Sequence, residues 1–177
     1  ASFLIVVFSN TTKAESQQII NYQANIPEVN QEPKLSGYLS AMENENYQSL
    51  IGYKIDKLIT RSPINGEQSS QKTVVFLSYD KSHLYSVFMC FDDDPDLIRS
   101  TVSPRDEFPQ DEDTVALHLV PFTNSQQMYG FQANAVGSKI DGMFSEGTGW
   151  DLSFNPTWFT ESLRANNGYL VKIKIPL

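Results

Sequence analysis

Few residues of this chain have chemistry that reaches beyond packing: two histidines, one cysteine, two tryptophans and a cluster of aspartates. Neither His83 nor His118 belongs to a His-Glu-x-x-His or His-x-His pattern, so the spacing that places two imidazoles on one zinc is missing. Cys90 alternates with apolar neighbours and reads as core rather than nucleophile. No Gly-x-Ser-x-Gly elbow and no phosphate-cradling glycine loop is present. Glycoside hydrolysis by paired carboxylates stays open, because the chain has 21 acidic residues and nothing in the sequence singles out a pair. Axial ligands for haem exist in principle as Met89, Met128 and Met143 with His83 or His118. No spacing draws them together.

The acids are concentrated. Residues 91–96 read FDDDPD, and 111–113 read DED. Hard carboxylate oxygens on loops suit Ca²⁺, which takes about six to eight of them. Asp92, Asp94 and Asp96 are the candidate donors, although their spacing is not that of an EF-hand. The competing reading is turn chemistry, with Asp side chains capping the loop and Pro95 setting its bend. The tryptophans offer a different chemistry. Trp150 lies in the glycine-flanked loop EGTGWD, and Trp158 closes FNPTW. An indole face stacks on the CH-rich face of a sugar while nearby polar groups bond its hydroxyls. For both, packing is the alternative.

The elements that must position these residues follow from periodicity. The chain has 177 residues, enough for one ordinary domain. Its net charge is −8, with no Lys/Arg cluster, which argues against nucleic acid and anionic lipid as partners. Many aromatics and only 19% charged residues suit β structure. A short helix is expected over 41–52, with Tyr47, Leu50 and Ile51 on one face and Gly52 ending it. A loop is expected over 61–71. Strands are expected over 73–79, 84–91, 115–120, 128–136, 139–144, 157–163 and 169–175. Asp80–His83 and the Gly137-Ser138 pair read as hairpin connections, the second with two residues. Asn166-Asn167-Gly168 supplies a third turn. In the last strand Tyr169, Val171, Ile173 and Ile175 alternate with Lys172 and Lys174. Together these predict an all-β chain: an antiparallel β-sandwich, jelly-roll or immunoglobulin-like, with a short N-terminal helix.

The order of short motifs carries a resemblance. Residues 84–98, LYSVFMCFDDDPDLI, resemble the pattern LYVGVxCxDxDPxxI of family 9-like carbohydrate-binding modules. Arg105-Asp106 follows, then Asp113 before a strand. FQANAVG at 131–137 with Asp141-Gly142 resembles FxxNPxGxxxDG, apart from Ala135 for its proline. FNPTW at 154–158 resembles WNPxW, and GYLVKIKIP at 168–176 resembles GWxxEIxIPF. Upstream, PKLSG at 33–37 is similar to PxIDG, and RSPING at 61–66 to REPxxG. Ser36, Tyr47, Phe154 and Tyr169 stand where the family has Asp or Trp. The subgroup is the N-terminal module of exported, Bacteroidetes-like bacterial proteins. The resemblance implies a glycan-binding β-sandwich, with a structural Ca²⁺ as an option. As a glycan-binding module the chain is expected to use Trp150, Trp158, Arg105 and Asn134 as ligand contacts.

The domain reading has three parts. Residues 1–14, with an apolar run and a small-residue cleavage pattern, resemble the rear of a secretory signal peptide. An N-terminal strand is the alternative. Residues 15–32 form a polar arm, and 33–177 the module. The abrupt stop after Ile175-Pro176-Leu177 reads as a cut, with a further C-terminal region of the parent as partner. Location is then exported: periplasmic, outer-membrane-associated or extracellular. Three functions compete: a non-catalytic glycan-binding module, an interaction domain that has lost its sugar site, and an accessory module of a glycoside hydrolase.

Overall fold

The computed structural model describes residues 4–6, 24–60, 66, 67, 69–107, 109, 111–121 and 126–177. The strands are β1 (Leu4–Val6), β2 (Tyr53–Ile55), β3 (Thr73–Tyr79), β4 (His83–Phe91), β5 (Thr114–Val120), β6 (Gln127–Asn134), β7 (Lys139–Ser145), β8 (Gly149–Asp151), β9 (Phe159–Ala165) and β10 (Gly168–Pro176). Among the described residues, one helix, α1 (Leu35–Glu43), and a single 3₁₀ turn, Pro95–Leu97, complete them. The strands form two antiparallel sheets, in the orders β1-β5-β6-β7-β8 and β2-β3-β4-β10-β9. The chain is an all-β antiparallel sandwich. The segment read as a leader remnant contributes β1, paired with 118–120 of β5. Residues 7–14, the first half of the polar arm (15–23) and 61–65 lie outside the described residues.

Period-two patterning explains the layers. Val115, Leu117, Phe131 and Ala133 of the first sheet face Val75, Leu77, Phe88, Val171 and Ile173 of the second, and Trp158 fills the space between them. The second sheet buries its other face too. Val74, Phe76, Val87, Met89 and Leu170 pack under Leu35, Tyr38, Ala41 and Met42 of α1. That is why β4 is buried along nearly its whole length and reads as a continuous apolar run rather than an alternation.

The helix lies earlier than expected, at 35–43 rather than 41–52. Its apolar stripe begins at Leu35, and an Asn-rich run ends it. Asn44 Nδ2 donates to the Ser40 carbonyl at 2.8 Å, and Asn46 Oδ1 accepts from the Gln48 N–H at 3.2 Å. Such local bonds compete with the helix ladder. Tyr47 still packs against Phe76, but from a loop.

The β3–β4 hairpin holds as expected. Asp80 accepts from the Ser82 and His83 N–H groups at 2.7 and 2.8 Å, and from Tyr85 Oη at 2.6 Å. The β6–β7 connection is longer than the two residues expected. Asn134 N–H donates to the Ser138 carbonyl, and Gly137 sits at φ +85°. A left-handed residue at the end of a three-residue loop is a position glycine fills without strain. Strand β9 starts at Phe159 rather than 157, because the carbonyls of Pro156 and Trp158 bond to Arg105 and Lys139 side chains instead of a neighbouring strand.

Lys172, on the face opposite the core, is not at the surface. It is 3% exposed and bonds Glu32 at 2.5 Å and Glu161 at 2.7 Å, while Lys174 reaches Glu32 at 2.6 Å. The arm at Glu32 is thereby pinned over β10. Burial pushes the Glu32 carboxyl up, but the bonds and charges of Lys172 and Lys174 outweigh it and hold the pKa below its ordinary 4.5. A depressed folded pKa means the stabilisation is present above about 4.5 and disappears as pH falls through the lower folded value. Glu32→Gln is therefore expected to lower the urea midpoint at pH 7 and to flatten the pH dependence of stability below pH about 4.5. Parallel acid titrations of the two proteins would contradict this arm clamp.

Candidate functional site

The four expected ligand contacts separate into two groups. Three are part of the protein's own polar framework. Trp158 is 1% exposed, with its ring 5.3 Å from Phe131 in an edge-on arrangement. Its Nε1 donates to Asp141 Oδ1 at 2.8 Å. Arg105 donates to the same oxygen from Nε at 2.8 Å and pairs with it through Nη2, which also reaches the Pro156 carbonyl at 2.7 Å. Asp106 turns the chain here at φ +65°, and its Oδ1 accepts from the Asp141 N–H at 3.0 Å. Lys139 Nζ lies 5.0 Å from the Trp158 ring centre and donates to the Trp158 carbonyl at 2.7 Å. Burial, then the Arg105 charge, depress the Lys139 pKa against the pull of Asp141 and Asp106. A buried carboxylate with several donors is how a charge is kept inside a protein.

Asn134 is fully buried and saturated. Its Nδ2 donates to the Thr101 carbonyl at 2.9 Å and Glu112 Oε2 at 2.7 Å. Its Oδ1 accepts from the N–H groups of Val136 at 3.2 Å and Ser138 at 2.9 Å. Two donors and two acceptor sites are the whole capacity of an amide. Asn134 therefore clamps the β6–β7 turn to the segment before β5. Trp158, Arg105 and Asn134, expected as ligand contacts, are engaged in the protein's own bonding, with Trp158 and Asn134 buried and Arg105 partly exposed.

The candidate metal donors make local contacts. Asp92 Oδ1 accepts from the Asp94 N–H at 2.8 Å, a local turn, and Asp96 lies within the 3₁₀ turn that Pro95 opens. Among the described residues no group of three His, Cys, Asp or Glu is arranged to hold a metal ion. Of the haem candidates, His83 is on the second sheet, Met89 lies under α1, and Met128 shares with His118 one face of the first sheet. Burial pushes the Cys90 thiol up to about 12, as its core position requires.

Trp150 is different. It is 47% exposed on β8, at the edge of the first sheet, and its ring leans inward across the face of that sheet turned away from the core. The floor beneath it is glycine. Gly130 on β6 and Gly142 on β7 face each other in register, and His118 of β5 lies opposite Gly130. A Cβ built at Gly130 would fall 2.8 Å from Trp150 Cη2 and Cζ3, and one at Gly142 would fall 3.2 Å from Cε3. His118 lies 5.5 Å from the indole and Phe144 lies 5.6 Å from it, between ring centres. Exposed Leu152 touches the same floor.

Among the described residues, the strand rows around Trp150 on this face hold no Asp, Glu, Lys or Arg. The register places Ala116, Gln132 and Ile140 in one row, His118, Gly130 and Gly142 in the next, and Met128, Phe144 and Trp150 beyond. Burial pushes the His118 pKa down to about 4, so it is neutral at physiological pH. Gln132 Nε2 donates to Thr114 Oγ1 at 2.9 Å. Sequence reasoning singled out Trp150 without its surroundings. The signal was there: a glycine inside a strand often marks close approach of another group.

A second concavity of about 870 Å³ runs between residues 31–36 and β9. Its buried cation, Lys172, is already neutralised by Glu32 and Glu161.

Comparison with protein-family models, curated proteins and solved structures finds no match to the chain. What the fold and site define is a class: a two-sheet antiparallel sandwich, helix-covered on one outer face and presenting an uncharged aromatic platform on the other.

Proposed function

We propose that the chain is a non-catalytic carbohydrate-binding module of an exported protein, holding glycan on the Trp150 face. The observation that carries the reading is the half-exposed indole, braced from below and at both sides. A braced aromatic surface loses little entropy on binding and offers the apolar contact a sugar ring needs. The order of motifs resembling family 9-like modules supports it. Of the four expected contacts Trp150 is the most exposed, Arg105 is partly exposed, and Trp158 and Asn134 are buried.

Affinity electrophoresis through gels containing xylan, a soluble cellulose derivative, laminarin or polygalacturonate tests the reading. Retention on at least one polysaccharide is expected, and Trp150→Ala is expected to remove it while leaving the far-UV circular dichroism unchanged. Absence of retention on all four, with the fold intact, would sink it. A second reading then gains: a structural or interaction domain of an outer-membrane-associated protein that has lost sugar binding. The internal bonding of Trp158, Arg105 and Asn134 favours it. It predicts that Trp150→Ala alters association with the rest of the parent protein instead.

A further inference from the structure

The geometry points to Gly130 and Gly142 as the positioning residues of the Trp150 platform. Their missing Cβ atoms let the indole recline over β7 and β6 instead of standing away from the edge at β8. The inference rests on the binding reading for what the ring touches, but not for how the ring is placed.

Glycine inside a strand is disfavoured, because it loses more backbone freedom on folding and packs nothing. It is usually kept where the backbone needs a positive φ or where another chain comes close. Gly137 and Gly168 have such a reason, with φ of +85° and +140°. Gly130 and Gly142 are not among the positive-φ glycines, so their backbones would accept any residue. Both are central in their strands and paired with each other. The atoms a side chain would meet at Gly130 are the outer ring atoms of Trp150 and Cδ2 of His118. At Gly142 they are Leu152 Cδ2 at 3.1 Å, Trp150 Cε3 at 3.2 Å and the Asp151 carbonyl at 3.3 Å. Two adjacent strands thus share one trough, and the indole occupies it.

The trough also sets what the ring can do. A ring held low between His118 and Phe144 keeps one orientation, so a planar ligand face finds it preformed. Lifted by a methyl group, the ring would swing free of the sheet. It gives way rather than the backbone, because it is the end of a side chain that is already half exposed.

The experiment uses the whole chain and two readouts. Trp158 is buried and Trp150 is half exposed, so acrylamide quenching of tryptophan fluorescence reports mainly on Trp150. Gly130→Ala and, separately, Gly142→Ala are expected to raise the quenching constant. Retention on the polysaccharide that holds the parent protein should weaken about ten-fold, the size of one good aromatic contact. Gly37→Ala, on α1 with nothing within 4 Å of its Cβ position, should change neither readout. Unchanged quenching in both trough variants would overturn the inference. If no polysaccharide retains the parent protein while the trough variants still raise quenching, the glycan reading falls and the placement of Trp150 by these glycines stands. If Gly130→Ala fails to fold, Gly142→Ala, whose clash is milder, decides by the same two measurements.

Discussion

Asp141→Ala is expected to cost about 3–5 kcal/mol of folding stability, the largest loss for any single polar side chain here. Asp141 is 1% exposed and its Oδ1 holds Trp158 Nε1 and the Arg105 guanidinium together. Removing it leaves an indole N–H without an acceptor in the core and a cation only partly open to water. Orphaning a buried partner costs more than the bond itself contributes. A domain of this size has about 5–15 kcal/mol in total, so the variant should be close to unfolding at room temperature. Trp158→Phe keeps the Arg105–Asp141 pair and loses one bond and some volume, so a smaller loss of about 1–3 kcal/mol is expected. Urea unfolding of both variants checks the ranking. A cost below about 1 kcal/mol for Asp141→Ala would put this network in the class of surface ion pairs.

Gly168→Ala should be comparably severe for a different reason. Gly168 sits at φ +140°, and a Cβ there would fall 2.0 Å from the Cys90 carbonyl oxygen and 3.0 Å from Met42 Cε. The first obstacle is backbone of β4 in the pair Gly168↔Phe91, so no rotamer change relieves it. Strain of about 1–3 kcal/mol is added to displacement of a central strand pair and of α1. The expected result is a thermal midpoint lowered far more than by Gly130→Ala, where only a ring has to move. Equal midpoints for the two alanine variants would contradict this distinction between backbone and side-chain obstacles.

The strands were legible because their signal is local. Period-two runs at 73–79 and 84–91 and the turn residues between them are complete within a short stretch of chain. Three-residue strands were not legible: β1 was only an alternative to a leader, and β2 and β8 are too short to show an alternation. The helix was misplaced because Tyr47, Leu50 and Ile51 mimic a helical face, while Asn44 and Asn46 prefer local turns.

By itself the sequence determined the class of fold, most of the hairpins and the rarity of catalytic groups. It also marked Trp150 as a loop tryptophan among glycines. Tertiary structure decided which polar residues are free to act. Arg105 meets Asp141 across 36 residues, and Lys172 meets Glu32 across 140. Whether such a group faces ligand or partner depends on which sheet face is covered, and no local pattern records that. The physical reason is that strand alternation sorts side chains into two faces, while only the stacking of sheets and the docking of α1 say which faces meet water.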